Sequence, residues 1–464
     1  MTNIMAKETI VKRTISDFLN TEYLNFSLYT VSERAIPSIC DGLKPGARKV
    51  VHAACVGSLK NGSTNKMISL VGDTMKLALY SHGDISLIGT VCTLSRNFHN
   101  NFNPLEIEGQ GGILRDPNPG APRYLYIRQS KYMNLIYKVD YDLLDFILEE
   151  GDYVEPKQYY PIIPNVLSNF SMGIANGYAF HCMAYHPLDI IDACIEVLNS
   201  KKEITKFKTQ IRPYFRDIKQ SNFKFEEGQW FSYGEWKINQ SKDLLTVTDL
   251  PCDSTYEDFE KILNKFVESE YIKDYKNKSE DGKVFYEIIF PKGQLSKECK
   301  KENYNQKIGA KFKLFKPLGD DLLWLLDENN KLKYYKDKYE VIKYFINWRL
   351  TIYELRKKKL VKILNERIKK NDELIKFIEL VCKGKLKIRN RSKKDIKVDM
   401  DGFKLPIELI NTSMSKCTIE ERDELLKQNE TMKKELEYIK NTTEKKMYIN
   451  DLNELRKNLE KDFK

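Results

Sequence analysis

Ala121-Pro122-Arg123-Tyr124-Leu125-Tyr126-Ile127-Arg128 closes a Gly/Pro-rich loop that runs from Gly109 to Pro122. An arginine stands directly before a tyrosine, and a basic segment follows. A free phenol has a pKa of about 10 and is a poor nucleophile at neutrality. Cations beside it stabilise both the phenolate and a phosphate it could attack. The chain holds 27 tyrosines, so Tyr124, Tyr126 and Ile127 also fit an ordinary strand. The residues upstream decide between the two.

Upstream, Ser32-Glu33-Arg34-Ala35-Ile36-Pro37-Ser38-Ile39-Cys40-Asp41-Gly42-Leu43-Lys44-Pro45-Gly46-Ala47-Arg48-Lys49-Val50 leads into a helix. Its apolar face is Ala47, Val50, Val51 and Ala54, at helical spacing. Arg48 and Lys49 fall off that face, near the positive helix end, where two cations suit a phosphate or a solvated start. A second helix is expected near Met67 to Leu79, and a third from about Ile85 to Leu94, capped by Asp84 or Ser81. Residues 9–32 read as an amphipathic helix with Ile15, Phe18, Leu19 and Tyr23 on one face. Three short helices followed by strands resemble a winged helix-turn-helix.

Four motifs then fall in one order: Arg-Ala-Ile-Pro-Ser-Ile-Cys-Asp-Gly-Leu-Lys-Pro-Gly-Ala-Arg-Lys-Val, Tyr-Ser-His-Gly-Asp-Ile-Ser-Leu, Glu-Gly-Gln-Gly-Gly and Pro-Arg-Tyr. In order and spacing they resemble the DNA breakage-reunion region of type IIA DNA topoisomerases. The likeness continues through Tyr159 to Leu167 and Gly173-Ile174-Ala175-Asn176-Gly177. Length and boundaries are most similar to the DNA-cleaving medium subunit of T-even-like bacteriophage topoisomerases. The resemblance implies that Tyr124 is the nucleophile forming a 5′-phosphotyrosyl bond, with Arg123 its neighbour on the scissile phosphate. It implies that Arg48 is an active-site arginine and that His82 lies near the leaving 3′ oxygen. Lys44, Lys49 and Arg115 would hold the DNA backbone, and Ile174 would wedge between base pairs, unless it is a core isoleucine in a Gly-flanked turn. Two departures stand out: Ser81 replaces a frequent second histidine, and the loop from Gly111 to Pro119 lacks the usual Asn-Phe-Gly.

The fold class expected is α+β multidomain. Residues 1–28 form an N-terminal arm, 29–155 a winged-helix cleavage domain, and 156–335 an α+β tower domain. Residues 336–464 form a long antiparallel coiled coil with a helical C-gate tip. Alternating or β-branched runs at 223–225, 230–233, 245–248 and 284–290 predict tower strands, with a helix over 255–269. Val341, Phe345, Trp348, Leu355 and Ile363 mark a helix from about 340 to 371. Leu425, Met432, Leu436 and Ile439 mark its return.

A net charge of +11 favours a polyanionic partner, although a lysine-rich composition alone would produce it. Nine cysteines are scattered singly with no Cys-x-x-Cys, which argues against zinc and for reduced thiols in the cytoplasm. No apolar run approaches a membrane span, and the N-terminal stretch lacks an apolar signal core. No His-x-x-Arg or His-hydrophobe-His occurs, which sets aside tyrosine recombinases and rolling-circle relaxases. A GHKL-type ATPase signature, a Walker A motif and an acidic module with Asp-x-Asp in its family context are missing. Asp140-Tyr141-Asp142 and Asp399-Met400-Asp401 read as surface acids. Mg²⁺, the usual stabiliser of charge at a phosphodiester, and ATP are therefore expected on a large partner subunit. Without a basic β-pinwheel, relaxation and decatenation are expected rather than supercoiling. The expected partners are double-stranded DNA, a second copy through the C-gate, and that large subunit. The contrasting class is a non-catalytic DNA-bridging protein on the same scaffold.

Overall fold

Residues 13–463 are described by the computed structural model, apart from 281, 301–302, 320–321, 388–390, 412 and 414–417. Residues 1–12 of the expected arm and parts of the expected tip thus lie outside the described residues. Thr14 opens a helical run by accepting a hydrogen bond from Asp17 N at 3.0 Å. The run comprises α1 (Ile15–Phe18), a wide turn at Leu19–Tyr23, α2 (Leu24–Thr30) and a second wide turn at Val31–Ala35. Ile15, Phe18, Leu19 and Tyr23 are all exposed.

Three helices follow: α3 (Pro45–Val56), then β1 (Asn65–Lys66), α4 (Met67–Leu77) and α5 (Asp84–Ser95). Proline begins α3 where its missing N–H would have no partner. Along α3, Val50, Val51, His52, Ala53 and Ala54 are all buried, a face wider than the spacing predicts. Packing against α4, α5 and the following strands takes up the extra width. β2 (Leu105–Glu108) and β3 (Tyr126–Gln129) complete an antiparallel sheet in the order β1-β3-β2, with Ile107 opposite Ile127. Helices and sheet together form the winged helix. A bulged hairpin of β4 (Phe146–Glu149) and β5 (Asp152–Pro156) follows.

β6 (Ser171–Ile174) and β7 (Ala179–Cys182) form a hairpin. The chain then passes through α6 (Pro187–Asn199), β8 (Phe223–Glu226), β9 (Gln229–Tyr233), β10 (Glu235–Asn239) and β11 (Leu244–Asp249). It continues through α7 (Tyr256–Glu268), β12 (Asp274–Asn277), β13 (Tyr286–Ile289), α8 (Gln294–Cys299), α9 (Tyr304–Lys311) and β14 (Phe315–Pro317). One sheet runs β10-β11-β13-β12 and another β14-β9-β8. Thr255 caps α7, which lays Phe259 and Leu263 onto Val247, Tyr286 and Ile288 in the tower core. Burying one such leucine contributes roughly 1.5–3 kcal/mol. β15 (Leu322–Leu326) and β16 (Leu332–Tyr335) then return to the first hairpin, giving the order β16-β15-β7-β6.

The chain divides into two compact units, Met1–Arg349 with Leu452–Lys464, and Leu350–Asp451. α10 (Lys338–Cys382) runs past the expected end near Asn371, because Phe377 and Ile378 enter the tip core. That core joins them to Leu386, to Ile396 and Met400 of α11 (Lys393–Gly402), and to Leu405. α12 (Ile419–Asn441) returns along the coiled coil, its start capped by Thr418. Buried Asn429 donates to Asp372 at 2.7 Å, a polar contact that fixes helix register. α13 (Glu444–Leu459) begins in this second unit, where Tyr448 stacks on Tyr353 at 4.7 Å.

Candidate active site

Tyr124 ends a single 3₁₀ turn, Pro122–Tyr124, at the foot of β3. Leu125, one residue on, is buried, and its carbonyl accepts Met67 N at 2.9 Å. Leu125 anchors the turn in the core while Tyr124 points away from it and is 73% exposed. The loop before it is pinned by Gly120 N donating to Gln110 O at 2.8 Å. Ile113 and Asp116 exchange both backbone hydrogen bonds. Gly112 has φ +88°, and a Cβ there would meet Pro117 O at 2.8 Å, so only glycine fits. The Arg123 guanidinium lies 5.9 Å from the Tyr124 ring centre. A mounted, exposed phenol beside an exposed cation is the arrangement a phosphoryl-attacking tyrosine needs.

His82 is exposed just ahead of α5, where Gly83, not Asp84 or Ser81, is the N-cap. Asp84 instead binds the amide of Ile85 within the first turn. His82 Nε2 and Tyr29 Oη are hydrogen-bonded at 2.9 Å, and the Tyr80 ring stands edge-on at 5.5 Å. Among the described residues no hydrogen bond or ion pair joins Tyr124 to His82 or to Arg48.

Arg48 is buried. Its Nε donates to Asp41 Oδ2 at 2.8 Å and its Nη2 to Asp41 Oδ1 at 3.1 Å and Leu43 O at 3.3 Å. Lys49 Nζ donates to Ala78 O at 2.6 Å and pairs with Glu155 at 2.9 Å. Arg115 is buried, donating to Pro251 O, Ser254 O and Leu250 O and pairing with Asp249 at 2.6 Å. The expectation that these three cations face a phosphate meets a different placement. Each charge is consumed inside the fold, because the adjoining carbonyls and carboxylates would otherwise be buried unpaired. Lys44 is half-buried, and its Nζ donates to Met172 O at 2.7 Å. Burial lowers its pKa.

Ile174 is 75% exposed at the end of β6, so it is no core residue. Ala175 N donates to Tyr178 O at 2.8 Å, closing the turn, and Gly177 takes φ +78°. A Cβ at Gly173 would lie 2.0 Å from Ala35 O. Asn176 Nδ2 donates to Ser27 Oγ at 3.1 Å. The arm, Lys44 and the Ile174 hairpin are thus knitted together. Sequence reasoning missed Tyr29 and Asp41. An acid seven residues ahead of Arg48 within the same motif was a usable signal, whereas nothing local marks Tyr29.

A family model for the A-type subunits of DNA gyrase and topoisomerase IV matches residues 34–455. The mitochondrial DNA topoisomerase 2 of Dictyostelium discoideum is 30% identical over 477 residues, covering 98% of this chain and 36% of the relative. DNA topoisomerase 2 of Invertebrate iridescent virus 6 is 26% identical over 464 residues, covering 96% and 39%. The chain thus spans little more than a third of the length of these relatives. Among solved structures, the Plasmodium falciparum topoisomerase II DNA-binding, cleavage and re-ligation domain superposes with a TM-score of 0.82 at 26% identity. That superposition covers 96% of this chain and 64% of the other.

Proposed function

We propose that this chain, which belongs to the family of DNA gyrase and topoisomerase IV A-type subunits, is the DNA-cleaving subunit of a type IIA DNA topoisomerase, of the phage type. Tyr124 Oη attacks the scissile phosphodiester, losing its proton as the O–P bond forms. The 3′ oxygen leaves as a hydroxyl, with His82 near it. The product is a 5′-phosphotyrosyl link that keeps the energy of the broken bond, so the 3′ hydroxyl reseals it by the reverse step. Arg123 stabilises charge that builds at the phosphate. Ile174 enters the base stack and bends the duplex. Arg48 acts through Asp41, holding the Leu43–Lys44 turn in place. Paired breaks on two copies let a second duplex pass, for relaxation or decatenation.

The observation that carries this reading is the exposed Arg123–Tyr124 pair at the end of a locked loop. Pairing of two copies is supported by the separate tip core and by exposed Val398 and Ile419 in the same unit. Among the described residues, His, Cys, Asp and Glu form no group of three that could hold a metal. The Mg²⁺ and ATP that type II topoisomerases use would sit on a large partner subunit. Among the described residues no helix is long and apolar enough to cross a membrane. The proposed setting is the cytoplasm, on DNA.

The test mixes the chain with its large subunit, Mg²⁺ and supercoiled plasmid, then quenches with detergent. Linear DNA with protein on its 5′ ends is expected, and Tyr124→Phe should abolish it. Linked ends that survive Tyr124→Phe would unseat the nucleophile. No cleavage by the unaltered chain in any divalent metal would favour a DNA-bridging scaffold.

A further inference from the structure

A polar cavity of about 460 Å³ lies behind the Gly109–Gly112 loop, with Arg96, Arg216 and Lys131 in its lining. Arg96 Nη2 donates to Pro117 O at 2.6 Å. Arg216 Nη2 donates to Asn101 O at 2.7 Å and to Tyr132 Oη at 2.9 Å. The Nε atoms of both arginines are buried without a partner. Neither guanidinium has an ion pair among the described residues. Glu106, the carboxylate in the lining, is taken by Arg128 at 2.8 Å. Asp462 takes Lys131 at 2.6 Å, and Asp217 feels the charge of its neighbour Arg216.

Arg96 lies over the Phe98 ring and Arg216 over the Tyr132 and Phe463 rings, yet each keeps a buried Nε–H with no acceptor, a cost that an anion would offset. Asp217 acts on Arg216 only at a distance, and Asp462 reaches it only through the Tyr132 hydroxyl, so neither occupies the Nε donor. Two forked donors around one space match the oxygens of a phosphate. Gly109 (φ +111°) and Gly112 (φ +88°) bring bare backbone to the same wall, as phosphate-cradling loops do. Phe98 and Tyr132 add flat apolar walls. The volume is that of a small-ligand site.

We propose that this cavity binds a small polyphosphate anion, of the pyrophosphate or nucleotide class. The cavity shares its Gly109–Gly112 wall with the loop that carries Tyr124, but its cationic donors are Arg96 and Arg216, and its binding is read without strand cleavage.

The test is calorimetric titration of the full chain with pyrophosphate in Mg²⁺-free, low-salt buffer. One saturating site per chain is expected, weakened about tenfold in Arg96→Gln and in Arg216→Gln, the scale of one lost charge-assisted contact. Arg216→Lys should recover part of the loss, and Lys157→Gln on the surface should bind as the parent does. Should the glutamine variants misfold, the melting curve of the unaltered chain decides: pyrophosphate raises it and chloride of equal ionic strength does not. Absent binding, or equal binding by the folded glutamine variants, overturns the proposal. Displacement of pyrophosphate by a short DNA duplex overturns it too, assigning the cavity to the DNA backbone instead.

Discussion

Asp41 holds Arg48 by two hydrogen bonds, at 2.8 and 3.1 Å, and the same carboxylate accepts the amides of Leu43 and Tyr159. One buried acid thus ties together the turn before α3, the helix itself and the segment that leaves the winged helix. Removing Arg48 would strand that acid. Arg48→Ala should lower unfolding free energy by about 3–5 kcal/mol, the cost of breaking a buried pair from one side. Denaturant titration measures it. Tyr124→Phe, at an exposed position, should stay within about 0.5 kcal/mol of the parent.

Phosphate contacts are read by the salt dependence of DNA affinity. Arg123→Gln should reduce the slope of log affinity against log salt by about 1. Arg115→Gln should leave the slope unchanged while lowering stability, because its guanidinium is spent on Asp249 and three carbonyls. Filter binding across a salt series checks both.

Ile174 has little to lose on the protein side. Ile174→Ala should leave the melting temperature near that of the parent, yet reduce the bend of a bound duplex, seen as lower energy transfer between dyes on its ends. The unstacking it assists is worth a few kcal/mol.

His52 is buried, and burial, helped by the charge of Lys49, lowers its pKa to about 4. In the unfolded chain it takes a proton near 6.5. Between those values the unfolded state binds more protons, so stability falls as pH drops through that window and levels off below it. The contribution is on the order of 3 kcal/mol. His52→Gln should flatten the melting temperature between pH 6.5 and pH 4 relative to the parent.

Helices α3, α4, α5, α7 and α12 were legible because apolar spacing and capping residues are local signals. Arg48 was misplaced because a helix packed on several sides hides residues that a single apolar stripe leaves outside. The internal pairing of Arg115 was not legible because its partners lie more than 130 residues away. The Tyr29–His82 contact and the joining of β15 to β7 are likewise long-range pairings with no periodic trace.

Phe180 of β7 lies opposite Leu323 of β15, yet residues 183–321 intervene. In topology that whole region is a hairpin loop grown large. Both its ends are rooted at one place on a sheet whose edge strand carries Ile174. Arg115 adds a second root at Asp249. Asn101 holds the insertion again through Tyr185 and Arg216, Arg456 through Asp192, and Tyr339 through Thr209. In topology the length of the insertion is independent of the register of β7 against β15, as a loop's length is of the hairpin it closes.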